Sequence, residues 1–320
     1  MAAHLPTRAH DPHTNTPSAL RSISSSSGLK FLRLDLDQDS FTDKFGVVDL
    51  EGTIAIVTGA SRGVGAATAR ALGAAGVRVA CAARSTDAQP QSTPGTLDET
   101  VEQIRSAGGE AIAVPTNLAV KSEVSAMVTT TVATYGEVDL LINNAAITFP
   151  GDLDLSMKRH ELTFAVNLWA PLQAITDVAP SMRERGSGSI LNVSSVAALN
   201  YFPGLMSYGA SKIALEHFTI DCAAQLKPFG IAVNTFRIDI PVASEGFIAN
   251  APDLDHSDWE PPSVAAEGIL WMLRQPSSYT GNNVGMAALR DSQGIMKSQA
   301  RNSQQPMPNT LTENPMRLPS

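Results

Sequence analysis

The sequence predicts an α/β fold in which a parallel β-sheet is covered by helices on both faces. Short apolar runs alternate with longer helix-like segments from Gly52 to about Ala288, which is the pattern of repeated β-α-β units. Most of the short runs are apolar throughout, as strands buried on both faces must be. With 320 residues, 43% of them hydrophobic and 17% charged, the chain is expected to form one large domain with tails.

The alternating region divides into seven predicted strands and six predicted helices. The predicted strands are Ile54–Thr58, Val77–Ala82, Ala111–Pro115, Val138–Asn143, Ser189–Val193, Ile231–Phe236 and Asn283–Met286. The predicted helices are Gly65–Ala75, Leu97–Ala107, Lys121–Tyr135, Lys158–Arg185, Tyr208–Leu226 and Pro262–Arg274. The segment Thr86–Gly95 contains two prolines and a glycine, and it is predicted to be a loop.

Both ends of the chain differ from this region. Residues 1–50 are expected to form a disordered leader, residues 51–290 the folded domain and residues 291–320 a disordered tail. Basic residues and the run Ser24–Ser27 also suggest an organellar transit peptide. Pro6, Pro12 and Pro17 oppose the amphipathic helix that such a peptide needs, so the disordered leader is favoured.

Composition restricts the class of partner. The net charge of -8 argues against general affinity for nucleic acid or anionic membranes. No apolar run reaches the ~18 residues of a membrane span. Cys81 and Cys222 have neither metal-site spacing nor a disulfide framework, which fits a reducing compartment. We therefore expect a soluble, cytoplasmic protein that acts on a small molecule and has no metal site.

A glycine-rich turn follows the first predicted strand and reads TGASRGVG, residues 58–65. Glycine allows a tight turn there and lets a pyrophosphate approach backbone N–H groups at the positive end of a helix. The strand–turn–helix context is the one that this mechanism requires. The sequence therefore predicts a dinucleotide site whose contacts in this loop are Gly59, Ser61, Arg62, Gly63, Val64 and Gly65.

Arg62 and Arg84 affect whether the sequence predicts NADP(H) or NAD(H) as the dinucleotide. NAD-binding folds usually place a carboxylate ~20 residues after the glycines, on the adenosine ribose. Arg84 occupies that place, and Arg62 lies within the glycine loop. Two guanidinium groups suit a 2′-phosphate, so NADP(H) is favoured over NAD(H). Alternatively, Arg84 points into solvent and Asp87 binds the ribose, which would give an NAD-preferring enzyme.

An ordered set of short motifs resembles the short-chain dehydrogenase/reductase family. These motifs are TGASRGVG, NNAA (Asn143–Ala146), VN (Val166 and Asn167), NVSS (Asn192–Ser195) and YGASK (Tyr208–Lys212). The resemblance covers roughly Gly52 to Met286. It implies a single Rossmann-type doubly wound domain with a seven-stranded parallel sheet, a nicotinamide cofactor, and a homodimer or homotetramer built on two long central helices.

Tyr208 and Lys212 lie one turn apart on one face of a predicted helix. An unperturbed phenol has a pKa near ~10 and burial raises it, so a working acid/base needs nearby positive charge. A shift of about three units corresponds to ~4 kcal/mol in favour of the phenolate. Lys212 and the oxidised nicotinamide ring can each supply part of that. Tyr208 would then exchange a proton with a carbonyl or alcohol oxygen as hydride moves.

The resemblance also implies roles for other residues. Ser195 matches the serine that hydrogen-bonds the substrate oxygen, with Ser194 less favoured, and Asn167 matches the asparagine that holds a water in a proton relay. Each has a purely structural alternative: Ser195 as a helix cap, Asn167 as a core amide, Asn143 as a turn residue. The remaining expected cofactor contacts are Asn117, Leu118, Asn143, Ala145 and Val242, together with Tyr208 and Lys212.

The chain departs from the family pattern at two places. Ala146 stands where the family has glycine, and Ile238 with Asp239 replaces a Pro-Gly pair. Asp239 is either a substrate-reading carboxylate or a loop cap. These departures leave open a catalytically silent NADP(H)-binding sensor or structural subunit.

The expected substrate is a small, largely apolar carbonyl compound or secondary alcohol. Phe149, Phe247 and Trp259 are candidates to line an apolar pocket, or else are aromatics tucked into the core.

Overall fold

The computed structural model describes residues 47–250 and 253–300. The predicted leader and tail therefore lie largely outside the described residues. The described chain forms a seven-stranded parallel sheet in the order β3-β2-β1-β4-β5-β6-β7, which confirms the predicted fold. The strands are β1 Ile54–Thr58, β2 Arg78–Ala83, β3 Glu110–Pro115, β4 Leu140–Asn143, β5 Gly188–Ser195, β6 Ile231–Ile238 and β7 Asn283–Gly285.

Helices connect successive strands and cover both faces of the sheet. They are α1 Gly63–Ala74, α2 Leu97–Ser106, α3 Lys121–Tyr135, α4 Met157–Phe164, α5 Ala170–Arg185, α6 Met206–Leu226, α7 Glu245–Asn250, α8 Pro262–Leu273 and α9 Met286–Gln293. Within the described ranges, no helix is both long and apolar enough to cross a membrane.

The interior strand β1 explains why the apolar runs are continuous. Ile56 pairs with Ala80 of β2 on one side and with Leu141 of β4 on the other. Ala55 and Val57 belong to the core on one face of the sheet, whereas Ile56 belongs to the core on the opposite face. Because both faces are buried, neither set of alternate positions can be polar. The order of the strands reverses between β1 and β4. In folds of this kind, ligands bind at such a point, beyond the carboxyl ends of the strands.

The segment predicted as one helix, Lys158–Arg185, contains a change of helix type. α4 and α5 are joined without a break by a π-helical turn, Ala165–Trp169. Hydrogen bonds in such a turn span one extra residue and widen the helix, a feature often found at functional sites. Gly186 then ends α5 in the left-handed conformation at φ 68°.

The folded chain continues past residue 290. Met296 is fully buried in the core beside α8. The backbone N–H of Gln299 donates to the buried carboxylate of Glu260 at 2.8 Å, and Arg290 donates to the other carboxylate oxygen of Glu260 at 2.8 Å. The domain therefore includes residues up to about Ala300.

Candidate active site

The carboxyl ends of β1 and β4 are fastened together by one threonine. The Thr58 hydroxyl accepts hydrogen bonds from the backbone N–H groups of Asn144 at 3.0 Å and Ala145 at 3.1 Å. The Asn144 side chain donates to the Thr58 carbonyl at 2.9 Å. The loop after β4 is thereby held against the glycine loop that follows β1.

The glycine loop has a backbone that side chains would disrupt. Gly59 and Gly63 have φ angles of 69° and 58°, in the left-handed region that favours glycine. A Cβ atom on Gly65 would lie 2.2 Å from the carbonyl oxygen of Gly59. One on Gly59 would lie 2.9 Å from the Cα of Ala145. The loop thus opens α1 with exposed backbone, and this cradle fits the pyrophosphate of a dinucleotide.

Arg62 is engaged within the protein. Its guanidinium donates to the carbonyl oxygens of Thr93 at 2.8 Å, Pro94 at 2.6 Å and Gly95 at 2.8 Å. Burial lowers the pKa of Arg62, while Glu245 opposes this and Arg84 adds to it. The charge of Arg62 therefore acts close to Arg84, but its donors hold the loop after β2.

Asp87 is also engaged. Its carboxylate accepts from the Thr96 hydroxyl at 2.6 Å, and Thr96 caps α2 through a reciprocal pair of hydrogen bonds with Glu99. Asp87 therefore helps to fix the start of α2. Arg84, which is exposed, is left as the charged side chain that faces outward at the end of β2.

Tyr208 and Ser195 meet at the carboxyl end of β5. Burial raises the pKa of the Tyr208 phenol, and a hydrogen bond with the Ser195 side chain partly opposes that rise. The Ser195 hydroxyl also accepts from the backbone N–H of Ala197 at 3.3 Å, so Ser195 caps the short 3₁₀ turn Val196–Ala198 as well. Both side chains are only partly buried, which leaves them open to a ligand.

Lys212 lies below the tyrosine and is almost entirely buried, with 2% of its surface exposed. Its Nζ donates to the carbonyl oxygen of Val193 at 2.8 Å and lies 5.7 Å from the centre of the Tyr208 ring. Burial lowers the pKa of Lys212 to about 8, and the charge of Glu216 opposes this effect. The lysine is thus a fixed group whose charge changes close to physiological pH.

Asn167, in the π-helical turn, ties three parts of the site together. Its side chain accepts from the Ile147 N–H at 2.8 Å and donates to the Ile147 carbonyl at 2.9 Å. It also donates to the Ser211 hydroxyl at 3.0 Å, which in turn donates to the Tyr208 carbonyl at 2.7 Å. Asn167 therefore links the loop after β4 to the helix that carries Tyr208 and Lys212.

Comparisons with known proteins identify the family. A sequence profile described as short chain dehydrogenase matches residues 53–240, more than half of the chain. The chain belongs to the short-chain dehydrogenase family. Members of this family are oxidoreductases that act on CH–OH and C=O groups, among them reductases and a hydroxysteroid dehydrogenase.

Individual relatives of this short-chain dehydrogenase span much of its length. A short chain dehydrogenase of Pseudocercospora fijiensis is 38% identical, over 71% of this chain and 70% of the relative. A 3-oxoacyl-[acyl-carrier-protein] reductase of Synechocystis is 37% identical, over 62% of this chain and 76% of the relative. The crystal structure of a metagenomic short-chain oxidoreductase in complex with NADP is 28% identical, with a TM-score of 0.62 over 74% of this chain and 96% of that one.

The remaining expected cofactor contacts of the dehydrogenase lie at the same edge of the sheet. Asn143 donates to the Asn192 side chain at 2.9 Å inside the core. The Asn117 side chain accepts from the Ala119 N–H at 3.2 Å in the turn after β3. The other expected contacts, Ser61, Val64, Leu118 and Val242, are buried.

The structure bears on two roles that the sequence left open, those of Ser194 and Asp239. Ser194 is buried and donates to the Glu216 carboxylate at 2.7 Å, so it faces away from the Tyr208 hydroxyl. The Asp239 carboxylate accepts from the backbone N–H of Ala287 at 3.0 Å near the start of α9. Burial raises the pKa of Asp239. The Asp239 carboxylate therefore caps the start of α9, one of the two roles that the sequence left open.

The three candidate pocket aromatics are divided between two places. Phe247 and Trp259 contact each other, with ring centres 4.8 Å apart. Phe149 instead lies beneath the guanidinium of Arg159, 5.4 Å from the ring centre. The first pair belongs to the segment around α7, which packs over the glycine loop.

Sequence reasoning missed several residues of the site. Asn144 and Thr58 hold the two central loops together, and the second asparagine of NNAA was the available signal. Glu245 lies near the glycine loop, because a Cβ atom on Gly63 would be 3.5 Å from its carboxylate. Glu216 follows Lys212 by one helical turn, a spacing visible in the sequence. Within the described residues, no cluster of His, Cys, Asp or Glu could hold a metal ion.

Proposed function

We propose that this short-chain dehydrogenase transfers hydride between NADP(H) and the carbonyl or secondary alcohol carbon of a small, largely apolar substrate. The observation that carries the proposal is the meeting of Tyr208 and Ser195 above the buried Lys212. One phenol and one hydroxyl converge on the place where a substrate oxygen would be held, and the ammonium lies within electrostatic range.

In the direction of reduction, Tyr208 donates its phenolic proton to the substrate oxygen. Ser195 donates a hydrogen bond that stabilises negative charge developing on that oxygen. Bound NADPH supplies the hydride to the carbonyl carbon. Because burial raises the pKa of Tyr208, its hydroxyl remains protonated at neutral pH and is ready to act as the acid. In oxidation, the Lys212 cation stabilises the phenolate that accepts the alcohol proton.

Two observations support NADP(H) over NAD(H). Arg84 is exposed at the end of β2, whereas one carboxylate oxygen of Asp87 already accepts a hydrogen bond from Thr96. The solved relative with bound NADP supports the same preference. Arg62 contributes charge near Arg84 while its donors face the loop carbonyls.

The preference for an apolar substrate rests on the segment around α7. Phe247 and Trp259 form an aromatic pair in the segment that follows β6, and Phe247 is 46% exposed. The Synechocystis relative is a reductase of a 3-oxoacyl group, which supports a carbonyl substrate with an apolar chain.

The proposed assembly is a homodimer or homotetramer that uses the outer face of α5 and α6. Trp169 is 53% exposed and packs on Phe218, and Ile213 and Ile220 are 39% and 46% exposed on α6. An apolar surface of this kind favours a second copy of the chain. Sedimentation of the wild type and of Ile220→Lys tests it, because a charge in the interface would shift the protein towards monomers.

Purified protein with NADPH and a panel of ketones and aldehydes tests the activity. We expect oxidation of NADPH by wild type, and a rate lower by about 10²–10⁴-fold in Tyr208→Phe, which removes only the acid. NADPH titration should show that the variant still binds cofactor. Unchanged turnover in the variant contradicts the mechanism, and saturable binding without turnover in the wild type would favour a silent sensor.

A further inference from the structure

A buried charge network lies behind the catalytic lysine. Glu216, on α6, follows Lys212 by one turn and is 2% exposed. Its Oε1 accepts from the Ser194 hydroxyl at 2.7 Å and from Arg237 Nε at 2.8 Å, and its Oε2 accepts from Arg237 Nη2 at 2.5 Å. Three donors thus fix a single carboxylate in the space between α6, β5 and β6.

Packing alone does not explain the buried Glu216–Arg237 ion pair. A buried ion pair is seldom more stabilising than apolar side chains of the same volume, because both charges lose their hydration. The Arg237 and Glu216 side chains are only 14% and 3% exposed. Stability alone therefore gives little reason to keep this pair, whereas a fixed negative charge beside Lys212 has a chemical use.

Lys212 has no direct carboxylate partner among the contacts of the described chain, since its Nζ bonds to the neutral carbonyl of Val193. Glu216, one helical turn further along α6, is the carboxylate whose charge raises the pKa of Lys212. Other polar and charged groups come from α6 itself and from four of the elements packed on it. They are Tyr208 on α6 itself, Ser194 on β5, Arg237 and Asp239 at the end of β6, Asn167 in the π-helical turn, and His160 of α4, bonded to Ser207.

We propose that Glu216, fixed by Ser194 and Arg237, is a positioning residue that keeps Lys212 positively charged during hydride transfer. The inference rests on the proposed function, because it concerns the lysine of that same site. Glu216 does not contact the reacting atoms. Its negative charge offsets the free-energy cost of burying the Lys212 ammonium. Arg237 fixes the position of the carboxylate relative to Lys212.

Removing the carboxylate alone should leave two buried cations close to each other. In Glu216→Gln, Lys212 is expected to lose its proton at a pH lower by about one unit or more. The alkaline limb of kcat/KM for ketone reduction should move by the same amount. A role limited to packing would instead lower kcat/KM equally at all pH values.

A double variant separates the charge from the packing. Glu216→Gln with Arg237→Met removes both charges and leaves no unpaired guanidinium, so thermal stability should return towards that of the wild type. The titration midpoint of Lys212 should remain below the wild-type midpoint, because the Glu216 carboxylate is still missing. Asp221→Asn is the matched control, since it removes an exposed carboxylate from the same helix.

The decisive measurement is the NMR titration of Lys212 in protein carrying ¹³Cε-labelled lysine, with its signal assigned by comparison with Lys212→Met. The expected midpoint is about 8 in the wild type and in Asp221→Asn, and lower in both Glu216 variants. A double variant whose midpoint matches the wild type overturns the proposal, even where the single variant fails to fold. The NMR titration needs no turnover. A wild type without ketone reductase activity would therefore refute the proposed function, and the titration would still test the role of Glu216.

Discussion

The Nζ atom of Lys212 lies 5.7 Å from the centre of the Tyr208 ring, and it is held there by the carbonyl oxygen of Val193. The ammonium is therefore close enough to stabilise a phenolate, but the two side chains make no ion pair. Burial nevertheless raises the pKa of Tyr208, and the hydrogen bond with Ser195 only partly opposes that rise. A bound oxidised nicotinamide would add positive charge that favours the phenolate.

This geometry predicts how activity depends on pH. Reduction requires the protonated Tyr208 and the charged Lys212, and the cationic form of a lysine exists below its pKa. With the pKa of Lys212 lowered to about 8, kcat/KM for ketone reduction should be constant at lower pH and fall above about 8. In Lys212→Arg, any residual activity should lack this limb, because a guanidinium stays charged there. A rate that rises through pH 8 in the wild type would contradict the assignment.

The exposed Arg84 should determine the cofactor preference. In Arg84→Ala, affinity for NADPH is expected to fall about 10-fold or more through loss of a charge-assisted contact with the 2′-phosphate, while affinity for NADH stays the same. Fluorescence titration with both nucleotides measures this. Arg70→Ala is the control, because Arg70 is an exposed arginine nearby that bonds to Gln103. Equal losses for the two nucleotides would argue against a phosphate contact.

The Glu245 carboxylate should weaken cofactor binding. It lies beside the glycine loop, where a pyrophosphate would bring like charge. Glu245→Gln is therefore expected to tighten NADPH binding by about two- to fivefold at low salt, with a smaller gain at high salt. Glu267→Gln, an exposed change on α8, should leave the affinity unaltered. Weaker binding in Glu245→Gln would show that the carboxylate instead stabilises the site through Arg62.

Gly65→Ala should disrupt the cradle, because the new methyl would lie 2.2 Å from the Gly59 carbonyl oxygen. NADPH affinity is expected to fall by about 100-fold or more, and the melting temperature should drop as the turn shifts. Gly246→Ala in α7 is the matched change, because a Cβ atom there meets nothing within 4 Å. Similar behaviour of the two variants in titration and thermal denaturation would place the cofactor elsewhere.

The sequence predicted features that depend on local pattern. Continuous apolar runs such as β1 predicted the parallel sheet. The spacing of Tyr208 and Lys212 predicted that both lie on one face of the helix that is now α6. The π-helical turn was missed, because an extra residue in a helix leaves a nearly unchanged apolar periodicity.

Contacts between distant segments were also beyond prediction. Arg62 was expected to face a phosphate, yet it bonds to loop carbonyls at residues 93–95, which depends on how that loop folds back. Asp239 is a cap for α9 because β6 and β7 are neighbours in the sheet. Such pairings follow from tertiary packing, which single-sequence patterns do not contain.

The bond between Gln299 and Glu260 matters for anyone who shortens or tags this gene for expression. Glu260 is also joined through its backbone to Pro241 and Ala243, in the loop whose Ser244 lies against Gly63. A stop codon ahead of position 299 would therefore loosen the segment that lies against the glycine loop, far upstream in the polypeptide. Truncated products should retain everything through Ala300, and affinity tags are better attached beyond that point.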